Sequence, residues 1–145
     1  MTKKIKYGII GTGLMGCEHI SNLNLIDEAE VIAICDTNKD SLVNATSLIK
    51  NNIEVSSNYN NFFNNKDIDA YVIATPNFTH HEIVNLAIKT KKHLLIEKPL
   101  CSKLEDCIEL KKISKEYNSI IWVAMEYRFM PPIQKMLEEI NKNRI

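Results

Sequence analysis

Residues 5–16 read Ile5-Lys6-Tyr7-Gly8-Ile9-Ile10-Gly11-Thr12-Gly13-Leu14-Met15-Gly16. An apolar run leads into a G-x-G-x-x-G pattern, and amphipathic sequence follows it. This succession is typical of a strand, a glycine loop and a helix that bind a dinucleotide: Gly11 permits the tight turn, Gly13 lets the backbone approach a pyrophosphate, and Gly16 lets the helix pack closely on the strand. The helix N-terminus would offer N–H groups and the positive end of its dipole to the phosphates. The residues expected to contact the cofactor here are Gly11, Thr12, Gly13, Leu14, Met15 and Gly16.

Short apolar runs alternate with longer amphipathic stretches along the rest of the chain, which predicts βαβ units in a parallel sheet. Strands are predicted at residues 5–10, 30–35, 53–56, 70–75, 93–97 and 120–125, and helices at 14–26, 39–50, 79–90 and 103–117. A last helix is predicted after Pro131-Pro132, whereas residues 58–65 are either a short helix or a loop. The expected fold is α/β, a doubly wound Rossmann sheet of about six parallel strands in the order 3-2-1-4-5-6, with helices on both faces.

Some local features follow from this assignment of strands and helices. Trp122 and Met125 lie in the last predicted strand and are expected in the core. Ser102 and Glu105 form a capping-box pattern at the start of the helix at residues 103–117. His19, one turn into the first helix, is expected to have a structural role.

Asp36 ends the second predicted strand and supplies the acidic residue that usually accompanies such a glycine loop. A carboxylate there accepts hydrogen bonds from the adenosine ribose and repels a 2′-phosphate, so NAD is favoured over NADP. Lys39 leaves room for NADP, because a nearby cation could meet that phosphate. The alternative is that Asp36 only caps the next helix, since Asp36, Thr37 and Asn38 are all common capping residues.

The composition excludes several classes of partner. The 145-residue chain has 18 basic and 18 acidic residues, and a net charge of zero argues against binding nucleic acid or an anionic membrane. The apolar run at residues 5–10 is too short for a signal peptide or a membrane span, so a cytoplasmic protein is expected. The four cysteines form no C-x-x-C pair and the histidines show no metal-binding spacing, so no disulfide or metal site is predicted. The expected partner is a small molecule or another protein.

Two further motifs follow predicted strands, at the edge where open α/β sheets bind ligands. Ala74-Thr75-Pro76-Asn77, with His80, follows the fourth strand, and Glu97-Lys98-Pro99 follows the fifth. Taken singly, the first is an ordinary turn and the second a surface lysine before a helix. Together with the glycine loop, Asp36, and Tyr127-Arg128-Phe129 with Pro131, they resemble the Gfo/Idh/MocA family, and the resemblance spans nearly the whole chain.

The resemblance implies an NAD(P)-dependent oxidoreductase that transfers hydride between nicotinamide C4 and a carbon of a sugar, cyclitol or related polyol. It implies that Lys98 belongs to the proton relay at the reacting hydroxyl or carbonyl. It also implies that Glu97 contacts the nicotinamide end of the cofactor and that the Lys98–Pro99 peptide bond is often cis.

Other side chains near these motifs are expected at the cofactor. Thr75, Pro76 and Asn77 are predicted contacts. His80 either approaches the nicotinamide or packs at a helix N-terminus. Arg128 either contacts cofactor or substrate, or pairs with a surface acid such as Glu126.

Members of this family carry a second α/β domain, which covers the nicotinamide and completes the substrate site. Residues 1–126 are accordingly predicted to be the Rossmann domain, and residues 127–145 a connector and helix leading toward a C-terminal domain that is missing. Two hypotheses follow: the cofactor half of a dehydrogenase, inactive alone, or a stand-alone NAD(P)-binding module such as a redox sensor or a subunit completed by another chain. An exposed apolar surface is expected after residue 126, which favours the first hypothesis and allows self-association. Its residues are Tyr127, Phe129, Ile133, Met136, Leu137 and Ile140.

Overall fold

Strands and helices alternate along residues 3–144, the part of the chain that the computed structural model describes. The strands are β1 (Ile5–Ile10), β2 (Ala29–Cys35), β3 (Glu54–Ser56), β4 (Ala70–Ile73), β5 (His93–Ile96) and β6 (Ile121–Val123). The helices are α1 (Leu14–Leu23), α2 (Lys39–Ser47), α3 (Tyr59–Phe62), α4 (His80–Ile88), α5 (Leu104–Ser114) and α6 (Pro131–Asn141), with 3-10 turns at Asn77–Thr79 and Glu126–Phe129. The predicted Rossmann domain (residues 1–126) begins with Met1 and Thr2, and the predicted connector (residues 127–145) ends with Ile145. These three residues lie outside the described part of the chain.

The strands form one sheet in the order β3-β2-β1-β4-β5-β6, and all neighbouring pairs are parallel. This confirms the predicted doubly wound Rossmann topology. Ile10 of β1 pairs with Cys35 of β2 on one side and with Ile73 of β4 on the other. The carboxyl ends of these three strands are therefore level, and the loops that follow them meet at one edge of the sheet. In an open α/β sheet, ligands bind at this edge where the chain order reverses.

The sheet divides the core into two layers, because successive side chains of a strand point to opposite faces. One layer joins strand residues to α1 and α2; it contains Ile9, Ile20, Val31, Ile34, Leu42, Ala45 and Val72. Val31 and Ile34 share this face because the register between β1 and β2 shifts after Tyr7 and Val31. The other joins other strand residues to α3, α4 and α5; it includes Ile10, Cys35, Phe62, Tyr71, Ile73, Ile83, Val84, Ile96 and Leu110. Helices α1 and α4 therefore lie on opposite faces of the sheet.

The β6 edge is less buried than predicted. Trp122 is 50% exposed and Met125 is 45% exposed, so the expectation that both lie in the core is wrong. The physical reason is that β6 is a short edge strand, and no further strand among the described residues pairs with its outer side. Trp122 packs instead on Phe129, with ring centroids 5.8 Å apart.

Helix ends also differ from the predicted ones. The predicted capping box is wrong, because α5 begins at Leu104 with Lys103 as its N-cap and no side-chain capping bond. Residues 58–65 contain the short helix α3, whose N-cap Asn58 accepts a hydrogen bond from the backbone N–H of Asn60. Asparagine caps α2 in the same way, through Asn38.

Candidate functional site

The glycine loop connects β1 to α1 and touches the loop that follows β4. Gly11 has a φ of +88°, and a Cβ at this position would lie only 2.5 Å from the carbonyl oxygen of Ala74. A Cβ on Gly16 would lie 2.9 Å from the carbonyl carbon of Gly11 and closer still to its oxygen. A Cβ on Gly13, by contrast, would meet no atom within 4 Å. Two glycines are therefore required by packing, and the third borders open space.

That open space lies at the N-terminus of α1. Gly13 is the N-cap, and within residues 3–144 no side chain caps this terminus and no acidic residue lies in its first turn. Leu14 is 87% exposed and Met15 is also exposed, whereas Thr12 is buried. The first N–H groups of a helix have no partner within the helix, and they carry the positive end of its dipole. The geometry is that of an anion-binding site.

Asp36 follows β2 and bonds directly to the glycine loop. Its Oδ2 accepts hydrogen bonds from the backbone N–H of Thr12 at 2.7 Å and from the Thr12 hydroxyl at 3.2 Å. Its Oδ1 accepts from the backbone N–H of Asn38 at 2.9 Å. Asn38, not Asp36, caps α2, so the alternative interpretation of Asp36 as the helix cap is wrong. The carboxylate is half-buried and keeps lone pairs for further donors.

A cleft of about 220 Å³ opens beside Asp36, between the loops that follow β2 and β4. Its lining includes Gly11, Asp36, Thr37, Tyr59, Thr75, Pro76, Phe78 and Thr79. Sequence reasoning did not include Tyr59 or Phe78 among the site residues. No motif marks either aromatic residue as part of a site beside Asp36. The Tyr59 hydroxyl donates to Oε1 of Glu82 at 2.7 Å, and this bond is the main cause that raises the pKa of Tyr59.

The turn after β4 is internally hydrogen-bonded. The hydroxyl of Thr79 donates to the carbonyl oxygen of Pro76 and accepts from the hydroxyl of Thr75, both at 2.8 Å. Pro76 and Asn77 are exposed, and Pro76 lines the cleft. The predicted residues of this motif therefore lie at the same sheet edge as the glycine loop.

His80 starts α4 and has no exposed surface. Its Nε2 lies 2.9 Å from the carbonyl oxygen of Thr75, and its Nδ1 lies 2.9 Å from the carbonyl oxygen of Pro99. A neutral imidazole has one N–H and donates to one of these oxygens, whereas the doubly protonated ring donates to both. The ring lies between the loops that follow β4 and β5. Of the two alternatives for His80, packing at the helix N-terminus is the one that this burial supports.

The Glu97-Lys98-Pro99 segment follows β5 and contains a cis peptide bond between Lys98 and Pro99, as the resemblance implies. Glu97 is 6% exposed. Its Oε1 lies 2.8 Å from Nε2 of His19, and its Oε2 accepts from the backbone N–H of Lys98 at 3.1 Å. The side chain of Lys98 is exposed. The pairing of Glu97 with His19 could not be read from the sequence, since the two residues are 78 positions apart.

Lys98 also borders a second cavity, of about 650 Å³, on the β6 side of the segment. Its other lining residues are Pro99, Leu100, Val123, Met125, Glu126, Tyr127 and Arg128. Arg128 is exposed there, and among the described residues no ion pair joins it to Glu126. Arg128 and Lys98 therefore line the same cavity. The sequence alone did not indicate whether Arg128 lies near Lys98.

Residues 3–144 contain no helix long and apolar enough to cross a membrane. The same residues hold no group of three or more His, Cys, Asp or Glu side chains arranged to bind a metal ion. Cys17 lies one turn into α1, and burial, followed by the charge of Asp36, raises the pKa of its thiol.

An uncapped helix N-terminus behind a G-x-G-x-x-G turn, with a carboxylate at the end of the adjacent strand, defines a dinucleotide-binding Rossmann domain. Residues 5–125 match a family described as "Oxidoreductase family, NAD-binding Rossmann fold", the Gfo/Idh/MocA family. The chain belongs to this family.

The chain is similar in sequence and structure to several enzymes. It is 33% identical over 139 residues to the 2,7-anhydro-N-acetylneuraminate hydratase of Escherichia coli, covering 93% of this chain and 36% of the hydratase. It is 29% identical over 144 residues to the myo-inositol 2-dehydrogenase of Thermotoga maritima, covering 97% and 42% of the two chains. The scyllo-inositol dehydrogenase of Lactobacillus casei, solved with NAD(H) and scyllo-inositol bound, superposes with a TM-score of 0.91 at 25% identity, over 99% of this chain and 42% of that one. The chain thus spans about two fifths of the length of the relatives it matches.

Proposed function

We propose that this chain is the nucleotide-binding part of an oxidoreductase that uses NAD in preference to NADP. The observation that carries the proposal is the position of Asp36, at the end of β2 between the glycine loop and the cleft of about 220 Å³. A carboxylate there accepts bonds from ribose hydroxyls and repels a 2′-phosphate. Lys39 is exposed and forms no ion pair with the described residues, which is compatible with weaker NADP binding.

The residues at this edge fit such a dinucleotide. The N–H groups at residues 13–16 would hold the pyrophosphate, where a Cβ on Gly13 would meet nothing within 4 Å. Thr75, Pro76 and Asn77 would border the opposite side of the cofactor, across the cleft from Asp36. Three of the predicted contact residues are buried: Thr12, His80 and Glu97. Their proposed role is to hold the conformation of the loops that face the cofactor.

Lys98 is the proposed catalytic residue. When bound, the cofactor supplies a hydride acceptor or donor at nicotinamide C4. The Lys98 ammonium would hold a proton at the oxygen of the reacting hydroxyl or carbonyl, which is the position general acid–base catalysis requires. The exposure of its side chain at the mouth of the 650 Å³ cavity supports this role, and Arg128 would contact cofactor or substrate from the same cavity.

The proposed substrate is a sugar, cyclitol or related polyol. Two of the relatives named above are inositol dehydrogenases, and the third is a hydratase of an anhydro sugar acid. All three are enzymes, so the alternative of a non-catalytic module gains no support from them. The match to about two fifths of their length supports the division into a cofactor domain at residues 1–126 and, at 127–145, a connector toward a substrate domain.

Titration with NADH and NADPH, followed by fluorescence, tests the proposal with wild type and Asp36→Asn. Wild type should bind NADH more tightly than NADPH. The asparagine keeps the shape of the side chain but loses its charge, and the affinity for NADH should fall about tenfold, the cost of a weakened charge-assisted bond. Asp40→Asn, at an exposed position in the first turn of α2, makes the same change of charge and should leave both affinities unchanged.

Two results would contradict the proposal. A wild type that binds neither dinucleotide would remove the cofactor assignment. An unchanged affinity in Asp36→Asn would remove only the role of that carboxylate.

A further inference from the structure

The Glu97-Lys98-Pro99 segment is held on both sides of Lys98 by histidines. On one side, Nε2 of His19 lies 2.8 Å from Oε1 of Glu97. On the other, Nδ1 of His80 lies 2.9 Å from the carbonyl oxygen of Pro99. The backbone N–H of Lys98 donates to the second carboxylate oxygen of Glu97 at 3.1 Å. The backbone around Lys98 is therefore tied at three points while its side chain stays exposed.

The two histidines come from opposite faces of the sheet. His19 lies on α1, the helix whose N-terminus is the proposed phosphate site, and α1 packs with α2 on one face. His80 lies on α4, which packs on the other face and follows the turn at residues 75–79. Its Nε2 also lies 2.9 Å from the carbonyl oxygen of Thr75. His19 thus joins the Lys98 segment to α1, and His80 joins it to the turn after β4 that borders the cleft.

The burial of these groups makes the two contacts costly to lose. Glu97 is 6% exposed, and among the described residues His19 supplies its only side-chain partner. The ionised form of a carboxylate only accepts hydrogen bonds, and an imidazole with its hydrogen on Nε2 supplies the matching donor. Without that donor the buried carboxylate would be poorly solvated and would rotate toward water. The backbone of Lys98 would then move too, because its N–H is hydrogen-bonded to the same carboxylate. His80 is fully buried, and its loss would leave a carbonyl oxygen of Thr75 or Pro99 without its N–H donor.

We propose that His19 and His80 are positioning residues that hold Lys98 toward the nicotinamide end of the cofactor from the two faces of the sheet. The inference rests on the proposed function, because it is the proposed cofactor that Lys98 would face. Neither histidine is proposed to touch substrate or cofactor. The effect of removing them should therefore be confined to the nicotinamide end, while the glycine loop and Asp36 continue to bind the adenosine and pyrophosphate groups.

Calorimetric titration of the 145-residue chain with NADH and with ADP-ribose separates these two ends, since ADP-ribose lacks the nicotinamide. His19→Leu should weaken NADH binding about tenfold and ADP-ribose binding less than about twofold, because one buried donor is lost near Lys98 only. His19→Gln keeps an amide donor near the position of Nε2 and should restore NADH affinity. His81→Leu is the matched control: His81 is the next residue of α4, and its ring lies 3.2 Å from Glu109, away from the segment.

A second pair of variants separates the two contacts of His80. In His80→Asn the side-chain amide would reach the position of Nδ1 and donate to Pro99, so this variant should retain most of the NADH affinity. The longer side chain in His80→Gln would reach the position of Nε2 and donate only to Thr75, so this variant should lose about as much NADH affinity as His19→Leu. Both variants keep a polar side chain in the buried position, and thermal unfolding verifies that they are folded.

The outcomes are distinct. Selective loss of NADH binding, with rescue by His19→Gln, supports the positioning role. Equal loss of NADH and ADP-ribose, or unchanged NADH affinity in His19→Leu and His80→Gln, overturns it. A wild type that binds neither ligand overturns the proposed function itself.

Discussion

Alanine substitutions at two positions of the glycine loop, Gly16 and Gly13, should have opposite consequences for stability and for binding. In Gly16→Ala the new methyl carbon would lie 2.9 Å from the carbonyl carbon of Gly11 and closer to its oxygen. Ordinary contacts of a Cβ begin near 3.4 Å. The obstacle is backbone at the end of β1, so α1 must move outward from the sheet and loosen its contacts around Ile20.

The magnitude for Gly16→Ala follows from two opposing effects. Overpacking against backbone costs about 3 kcal/mol, the upper part of the usual range. Alanine in a helix returns about 1 kcal/mol relative to glycine. The net loss of about 2 kcal/mol should lower the melting temperature by roughly 6 °C for a domain of this size.

Gly13→Ala should spare the fold and damage binding. A Cβ there meets no atom within 4 Å, and the φ of −68° at this N-cap is open to alanine. The free energy of unfolding should stay within about 0.5 kcal/mol of that of the wild type. Alanine is a poorer N-cap than glycine, but it also lowers the conformational entropy of the unfolded chain, and the two effects offset each other. The methyl group would occupy the space proposed for the pyrophosphate, so NADH affinity should fall about tenfold or more.

Thermal unfolding by circular dichroism and NADH titration on the same three proteins check both statements. A Gly16→Ala protein as stable as wild type would refute the close approach of α1 to Gly11. A Gly13→Ala protein that melts several degrees early, or one that binds NADH normally, would refute the open phosphate site.

Two further predictions concern buried groups away from the cleft. Burial, and then a hydrogen bond with Cys107, raises the pKa of the Cys101 thiol to about 12. At pH 8 its alkylation by iodoacetamide should therefore be more than about tenfold slower in the folded chain than in urea, and mass mapping that finds equal rates would contradict this. Tyr71 is fully buried, and among the described residues its hydroxyl has no hydrogen-bond partner. Tyr71→Phe should therefore be as stable as wild type or more stable by up to about 1 kcal/mol in urea titration, and a loss of that size would show that the hydroxyl is satisfied.

Local patterns were sufficient to predict most of the fold. Apolar runs such as Val31 to Cys35 mark strands that are buried on both faces, and the glycine spacing marks the connection from β1 to α1. Because crossovers between parallel strands are right-handed, the alternation of strands and helices leaves few possible strand orders, and the predicted one is observed. Asp36 could be predicted at the site because its place at the end of β2 depends only on strand register.

The contacts between side chains at the site could be predicted less well from the sequence. His80 could be placed after the turn that follows β4, but its burial and its contact with Pro99 depend on how α4 packs beside β5. The expectation for Trp122 failed for a similar reason, since an apolar strand residue is buried only if another element covers it.

The sequence by itself determined the alternation of strands and helices, the glycine-rich turn after β1 and the acidic residue at the end of β2, because each is marked by residues close to it in the chain. Only the tertiary structure decided that His19 meets Glu97, that His80 bridges Thr75 and Pro99, and that Tyr59 and Phe78 line the cleft of Asp36. Those contacts join segments far apart in sequence, and they arise from the packing of helices on both faces of one sheet. No local pattern encodes such a contact, since it depends on where two separately formed elements come to rest.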